Sequence, residues 1–272
     1  MYCFRSNPML LFYVEVARTA FRRQLIYRWA NLAGLITNIF FGVVFSFVYI
    51  GLYQARPLVA GYDVHDTLRY SWLVQSMIMV ILPFGWRDLM LTIRTGEVVS
   101  DLSKPCDFCW YWFSREVGRS LYYLLCRCIP IYIAGMLLFG IGVPGELFSW
   151  LAYGLALPLG ALLGIAYRML YNIGAFWLIE ARAVGTMAEV VGLFFAGSYV
   201  PIPLLPLWLR GIVEWLPFSG LLNLPVQVLL GKLSGSELYF ALARQLFWVI
   251  ALVLLLRLLV SVATRRVVSQ GG

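Results

Sequence analysis

Histidine and lysine are nearly missing from this sequence, which has one of the first and two of the second among 272 residues. His65 alone cannot supply a Ser–His–Asp set or a histidine metal cluster, and it reads as a solvated loop residue. Charge of any kind is scarce. Only 12% of residues are charged and 62% are hydrophobic, against about 25% and 45–50% in soluble domains. That balance excludes a soluble enzyme, and an aromatic content of 16% excludes a disordered chain. No GxxxxGK followed by Ser or Thr occurs. Gly231-Lys232 lacks both the upstream glycine and the following hydroxyl residue, so the chain is not expected to hydrolyse ATP.

Cysteine is present but does not describe a disulfide framework, because Cys3, Cys106, Cys109, Cys126 and Cys128 are odd in number. Cys106 and Cys109 form a CxxC, and Cys126 and Cys128 a CxC. Four thiolates could hold zinc, but structural zinc usually pairs a CxxC with a second CxxC or a histidine pair. Small apolar filler is the favoured reading, and no metal is expected. A signal peptide is not expected either, since Met9–Val14 is too short for its apolar core and no small-residue cleavage site follows.

What the sequence has in abundance is apolar runs of the ~20 residues that a helix needs to cross a bilayer. Six qualify: Trp29–Tyr53, Tyr70–Met90, Ser120–Gly142, Leu147–Ile179, Val184–Val200 and Leu238–Val260. The fourth is too long for one upright crossing, so it tilts or extends past the bilayer. The alternating ten-residue strands of a membrane β-barrel are absent. The expected fold is therefore an all-α integral membrane domain of six spans over residues 29–266. The net charge of +8 comes from arginines that flank these spans, so it points to membrane orientation and lipid headgroups rather than nucleic acid. Of the 21 basic residues, 16 fall on one face: Arg5, Arg18, Arg22, Arg23, Arg28, Arg87, Arg94, Lys104, Arg115, Arg119, Arg127, Arg168, Arg182, Arg257, Arg265 and Arg266. Arg56, Arg69, Arg210, Lys232 and Arg244 fall on the other. The positive-inside rule makes both termini cytoplasmic, including the tail 267–272.

Before the first span, Leu10, Val14, Ala17, Phe21 and Leu25 recur at helical spacing, with Glu15, Arg18 and Arg22 on another face. Residues 1–28 thus read as an amphipathic segment along the inner leaflet, or as a plain extension of the first span. After the fifth span, three prolines within Pro201–Pro206 stop the helix, and Pro206 suits the first turn of a short new one. Residues 201–218, with Trp208, Ile212 and Trp215 on one side, read as a segment that re-enters or rests on the outer surface.

The inner connection over 94–119 mixes charge (Arg94, Glu97, Asp101, Lys104, Asp107) with the aromatic run Trp110–Phe113. On composition it is either a solvated loop or a charged element held against the bilayer to dock a partner. The order TGEVVSDLSKP…WYWFSREVGR resembles the first cytoplasmic loop of type 2 ABC exporter permeases, in the group related to daunorubicin and viologen exporters. Phe176–Phe218 is similar to that family's fifth span and outer re-entrant hairpin, with a Gly-x-x-x-Pro break and a closing Leu-Pro-Phe. The Cys106 and Cys109 pair departs from the apolar or hydroxylated residues expected there. The resemblance implies a permease subunit of the bacterial plasma membrane that pairs with a second permease, identical or related. It also implies two separate ATPase subunits, which carry the ATP and magnesium, and a cofactor-free chain here. Arg94, Glu97, Asp101, Lys104 and Asp107 are then the ATPase-coupling candidates, and the cargo a hydrophobic drug or lipid-like molecule moved outward.

Intramembrane polar residues are the candidates for the substrate path: Asn38, Gln75, Arg168 and Asn172. Arg168 either lines a cavity or binds a structural partner, Glu180 or a backbone carbonyl. Arg127 and Arg257 are expected to snorkel to the inner surface. Ala156, Gly160 and Gly164 form a small-residue stripe for helix packing. Aromatics in the first span suit an apolar or flat cationic cargo, and equally suit lipid contact. A stand-alone channel or secondary transporter is the competing function. It would need paired intramembrane acids or an inverted repeat, and neither is found. A membrane-embedded transferase would need a His/Asp constellation, also missing.

Overall fold

The structure is a computed structural model that describes residues 8–178 and 180–265. Cys3, Arg5, Ile179, Arg266 and the tail 267–272 lie outside the described residues. Among those described, the fold is helical, with one isolated bridge between Val59 and Tyr62. The helices are α1 Pro8–Ile26, α2 Arg28–Ala55, α3 Val64–Ile81, α4 Asp88–Thr95, α5 Val98–Leu102, α6 Phe108–Tyr123, α7 Ile129–Phe139, α8 Leu147–Ile173, α9 Ala181–Phe195, α10 Leu207–Trp215, α11 Asn223–Leu229 and α12 Gly235–Thr264. Four continuous helical stretches are long and apolar enough to cross a membrane: Arg28–Ala55, Phe108–Phe139, Leu147–Phe176 and Gly235–Thr264.

The other two expected spans are shorter than their apolar runs. α3 has 18 residues and stops at Ile81, not Met90. Pro83 disfavours helical backbone at Leu82, and Gly85 turns the chain at φ +67° before α4 starts as a separate helix. α9 has 15 residues and ends before Gly197, whose φ of +83° turns the chain into the proline cluster. The third span, expected from Ser120, instead begins at Phe108, where the Asp107 carboxylate accepts the Trp110 N–H at 2.8 Å. Most of the 94–119 connection is therefore helix, not loop. That long helix contains a π turn, Leu124–Cys128, closed by the Ile129 N–H on the Leu124 carbonyl. Pro130 explains it: with no N–H to offer and a ring that crowds the carbonyl four residues back, proline fits a widened turn better than a regular one. The fourth span reaches Phe176 through a short 3-10 turn. His65 lies exposed in the first turn of α3 rather than in a loop.

α3 is the central helix. Most of its residues are buried, and it is enclosed by α2, α7, α8 and α11. The Trp72 indole fills the space left by Gly42 of α2 and Gly135 of α7, and its Nε1–H donates to Ser46 Oγ at 2.9 Å. α11 was not anticipated. All seven of its residues are buried, and Asn223 accepts from Tyr70 Oη at 3.0 Å and from Gln227 Nε2 at 3.1 Å. The small-residue stripe of α8 meets backbone along its length. A Cβ on Gly160 would lie 2.8 Å from the Leu221 carbonyl oxygen, and one on Gly164 would collide with the Ile81 carbonyl. Ala156 is fully buried, and its carbonyl accepts from Gln245 of α12 at 2.9 Å.

α1 lies against α6. Phe21 packs edge-on to Tyr122 with ring centroids 5.6 Å apart, while Leu10, Val14 and Leu25 remain exposed. Only part of the expected apolar face is thus used for packing. In the 201–218 segment, Trp208, Ile212 and Trp215 of α10 are all exposed.

Candidate functional site

At the end of the bundle that carries α5, four elements enclose a polar cleft of about 420 Å³. α1 contributes Arg23, α4 contributes Asp88, α5 and its start contribute Glu97 and Asp101, and α6 contributes Arg115. α5 is anchored from beneath by the buried Val98. Asp101 is buried and accepts from Lys104 Nζ at 2.6 Å, and the ammonium stands 4.0 Å over the Tyr111 ring. Burial works against this ammonium, but Asp101 and Tyr111 outweigh it and hold the lysine pKa above its usual value. Glu97 and Arg94 are exposed. Asp107 caps α6, and its backbone N–H donates to Tyr13 Oη of α1 at 3.1 Å. Of the five coupling candidates, Glu97 and Asp101 share the cleft and Lys104 braces Asp101, while Arg94 and Asp107 do not line it.

An ionic chain runs inward from this cleft. Asp88 pairs with Arg119 at 2.7 Å and Arg115 at 3.8 Å. Arg119 continues to Glu116 at 3.6 Å, and Glu116 to Arg168 at 3.1 Å, both members of that last pair being buried. Its inner end is the interrupted backbone between α3 and α4. Where a helix breaks inside a bundle, its freed carbonyls and N–H groups need other partners. Ser120 Oγ donates to the Val80 carbonyl at 2.8 Å, and Arg168 Nη1 donates to the Ile81 carbonyl. Asn172 Oδ1 accepts the Met90 N–H at 3.1 Å, and Glu189 Oε1 accepts the Gly85 N–H at 2.6 Å. Arg168 and Asn172 are therefore fully buried clamps on the corner. The acidic partner of Arg168 is Glu116, not Glu180, because α6 begins early enough to bring Glu116 beside α8.

A second cavity, of about 640 Å³, opens between α2 and α3 and holds Asn38, Gln75 and Arg127 together with Phe41, Phe45 and Phe84. Asn38 Nδ2 donates to the Gln75 carbonyl at 2.9 Å, and Arg127 Nη2 donates to Asn38 Oδ1 at 3.1 Å. Arg127 does not snorkel: it is 4% exposed and points from the π turn into the bundle.

Residues 39–271 match the family model described as ABC-2 family transporter protein. The chain belongs to the ABC-2 transporter family. No curated protein and no solved structure matches it. An ABC-2 chain is a membrane permease, generally a non-catalytic subunit that works with ABC ATPase partners. In this ABC-2 permease the ionic chain and the corner it clamps both fall inside the matched region. Glu116, Asp88, Arg115 and Arg119 were missed from sequence, although an acid among the aromatics at Glu116 was a readable signal. The described cysteines are all free, and among the described residues no group of three or more His, Cys, Asp or Glu is arranged to hold a metal. Burial pushes the Cys106 thiol up, which disfavours the thiolate, and Cys128 bonds Ser76 Oγ at 3.5 Å.

Proposed function

We propose that this ABC-2 permease is the membrane subunit of an ATP-driven exporter that moves a hydrophobic, drug-like or lipid-like molecule out of a bacterial cell across its plasma membrane. Six helical units cross the bilayer: α2, α3, α6–α7, α8, α9 and α12. α3, at 18 residues, spans roughly 27 Å, close to the ~30 Å of the hydrocarbon core. Both termini are cytoplasmic, as the arginine distribution favours, with α1 on the inner leaflet and 201–218 re-entering from outside. Two ATPase subunits carry ATP and magnesium, and a second permease completes the cavity. The ATPase docks on the α4–α5 element, and its closure pushes Asp88, whose arginines pass the displacement to Glu116, Arg168 and the α3–α4 corner. The observation that carries this reading is the continuous ionic chain between an exposed polar cleft and a broken central helix. The path runs past Asn38 and Gln75; Arg168 and Asn172 serve the corner.

Arg94 and Glu97 are the cleanest probes, because both are exposed and neither forms a described ion pair. Affinity purification of the chain from its native membrane is expected to bring an ATPase with it. Exchanging the two charges (Arg94→Glu with Glu97→Arg) is expected to cut that recovery at least about tenfold, as loss of a central interface contact does, with thermal stability unchanged. A chain that purifies alone and transports without ATP would instead be a channel or secondary transporter.

A further inference from the structure

Among the described residues two arginines are buried in the bundle, Arg127 and Arg168. Arg168 has Glu116 beside it, whereas among the described residues no carboxylate pairs with Arg127. Its guanidinium has one neutral acceptor, Asn38 Oδ1, and its Nε has none. The Tyr123 ring lies 5.6 Å away, and the head packs so closely on α2 that a Cβ at Gly34 would come within 2.5 Å of it. The residue is thus held in place, buried and uncompensated, on the wall of the 640 Å³ cavity. An unpaired buried charge is strongly unfavourable unless something of opposite sign arrives. A guanidinium presents a planar fork of donors suited to a carboxylate or a phosphate oxygen pair. Phe41 and Phe45, about one and two turns beyond Asn38 on the same face of α2, give the cavity an apolar lining.

We propose that this cavity is a subsite for an apolar-tailed anion, with Arg127 holding the carboxylate or phosphate group and the phenylalanine wall holding the tail. The proposal rests on the exporter reading for its role in transport, but not for its chemistry. Of the apolar and flat cationic cargoes that the first-span aromatics suit, it disfavours the cationic one, because a cation would meet the Arg127 charge with no acid to offset it. Asn38 is a positioning residue that fixes the guanidinium by accepting from Nη2.

The test uses the purified full chain in nanodiscs of neutral lipid, with palmitate, hexadecanol and hexadecylamine as probes of one tail and three charges. Wild type is expected to bind palmitate in preference to the other two. Arg127→Gln is expected to weaken palmitate by about tenfold to a hundredfold, the range for losing a hydrogen bond to a charged group, and to leave hexadecanol unchanged. Unchanged hexadecanol binding also shows that the variant is folded. Arg127→Lys is expected to keep the preference in weaker form. Equal binding of the three probes by wild type, or palmitate binding indifferent to Arg127→Gln, would overturn the proposal, and neither result touches the exporter reading. With the copurified ATPase present, ATP-driven release of bound palmitate marks it as cargo and retention marks a resident lipid, both consistent with the site. If no ATPase copurifies, the exporter reading falls while the probe comparison still decides the subsite.

Discussion

Replacing Glu116 by alanine is expected to lower the stability of the chain by about 3–5 kcal/mol, the cost of leaving one partner of a buried ion pair alone. Arg168 is fully buried and, among the described residues, ion-pairs with no other carboxylate, so its charge would be left without a direct partner beside the α3–α4 corner. For a chain of this size that loss corresponds to a drop of roughly 10 °C in the melting midpoint in detergent. Glu116→Gln keeps a neutral acceptor and is expected to fall between the two. The double variant Glu116→Ala with Arg168→Met removes the stranded charge, yet it is not expected to restore wild type. It also removes the donor to the Ile81 carbonyl, and a buried unsatisfied carbonyl costs about 1–3 kcal/mol by itself. Full recovery in the double variant would show that the pair acts alone and that the corner does not depend on Arg168. A loss under about 1 kcal/mol for Glu116→Ala would mean that water reaches the pair, and the inward ionic chain would lose its insulated end.

The same residues show how far the sequence could be read. Arg168 and Asn172 stood out because polar groups inside an apolar run are costly. Their role did not, because it depends on the break after Ile81, and hydropathy alone carried the second span through Leu-Pro-Phe-Gly to Met90. Pro83 and Gly85 were visible signals of that break. Glu116 falls in the inner connection because hydropathy starts the third span at Ser120. The structure begins the helix at the Asp107 cap, buries Glu116 and leaves Arg115 and Arg119 half-buried beside it. α11 was legible only in hindsight. Asn223, Pro225 and Gln227 resemble a loop, and their burial is made possible by Tyr70 on a helix distant in sequence. Asn38 and Gln75 were read as polar liners, and the cavity brings them together with Arg127, whose inward direction is set by the π turn ahead of Pro130. Propensity does not reveal such a turn, since only the packed helix shows which carbonyl the proline displaces.

Gly118→Val is expected to undock α1 from α6 without melting the bundle. A Cβ at Gly118 would fall on the backbone carbonyl of Ala17, so the obstruction is main chain and no side-chain rotation can relieve it. Ala17→Gly is therefore not expected to rescue the variant, which separates this clash from ordinary overpacking. Overpacking typically costs about 1–3 kcal/mol. That suffices here, because Gln24 is the one buried residue of α1, and the other α1 side chains that hold α6, Phe21 against Tyr122 and Tyr13 on the Asp107 N–H, are only half-buried. Trypsin is expected to cut the variant after Arg22 or Arg23 at a rate that leaves wild type intact, while the melting midpoint of the remainder moves by only a few degrees. Equal cutting of the two proteins would mean that α1 already leaves α6 freely. The functional consequence follows from what α1 touches. Arg23 lines the α4–α5 cleft and Gln24 lines the cavity that holds Arg127, so one turn of α1 borders both. If the ATPase acts through that cleft, the undocked variant is expected to retain ATPase binding through Arg94 and Glu97 but lose transport, because the turn that borders both sites has left. Loss of transport and of ATPase together would place the docking surface on α1 itself.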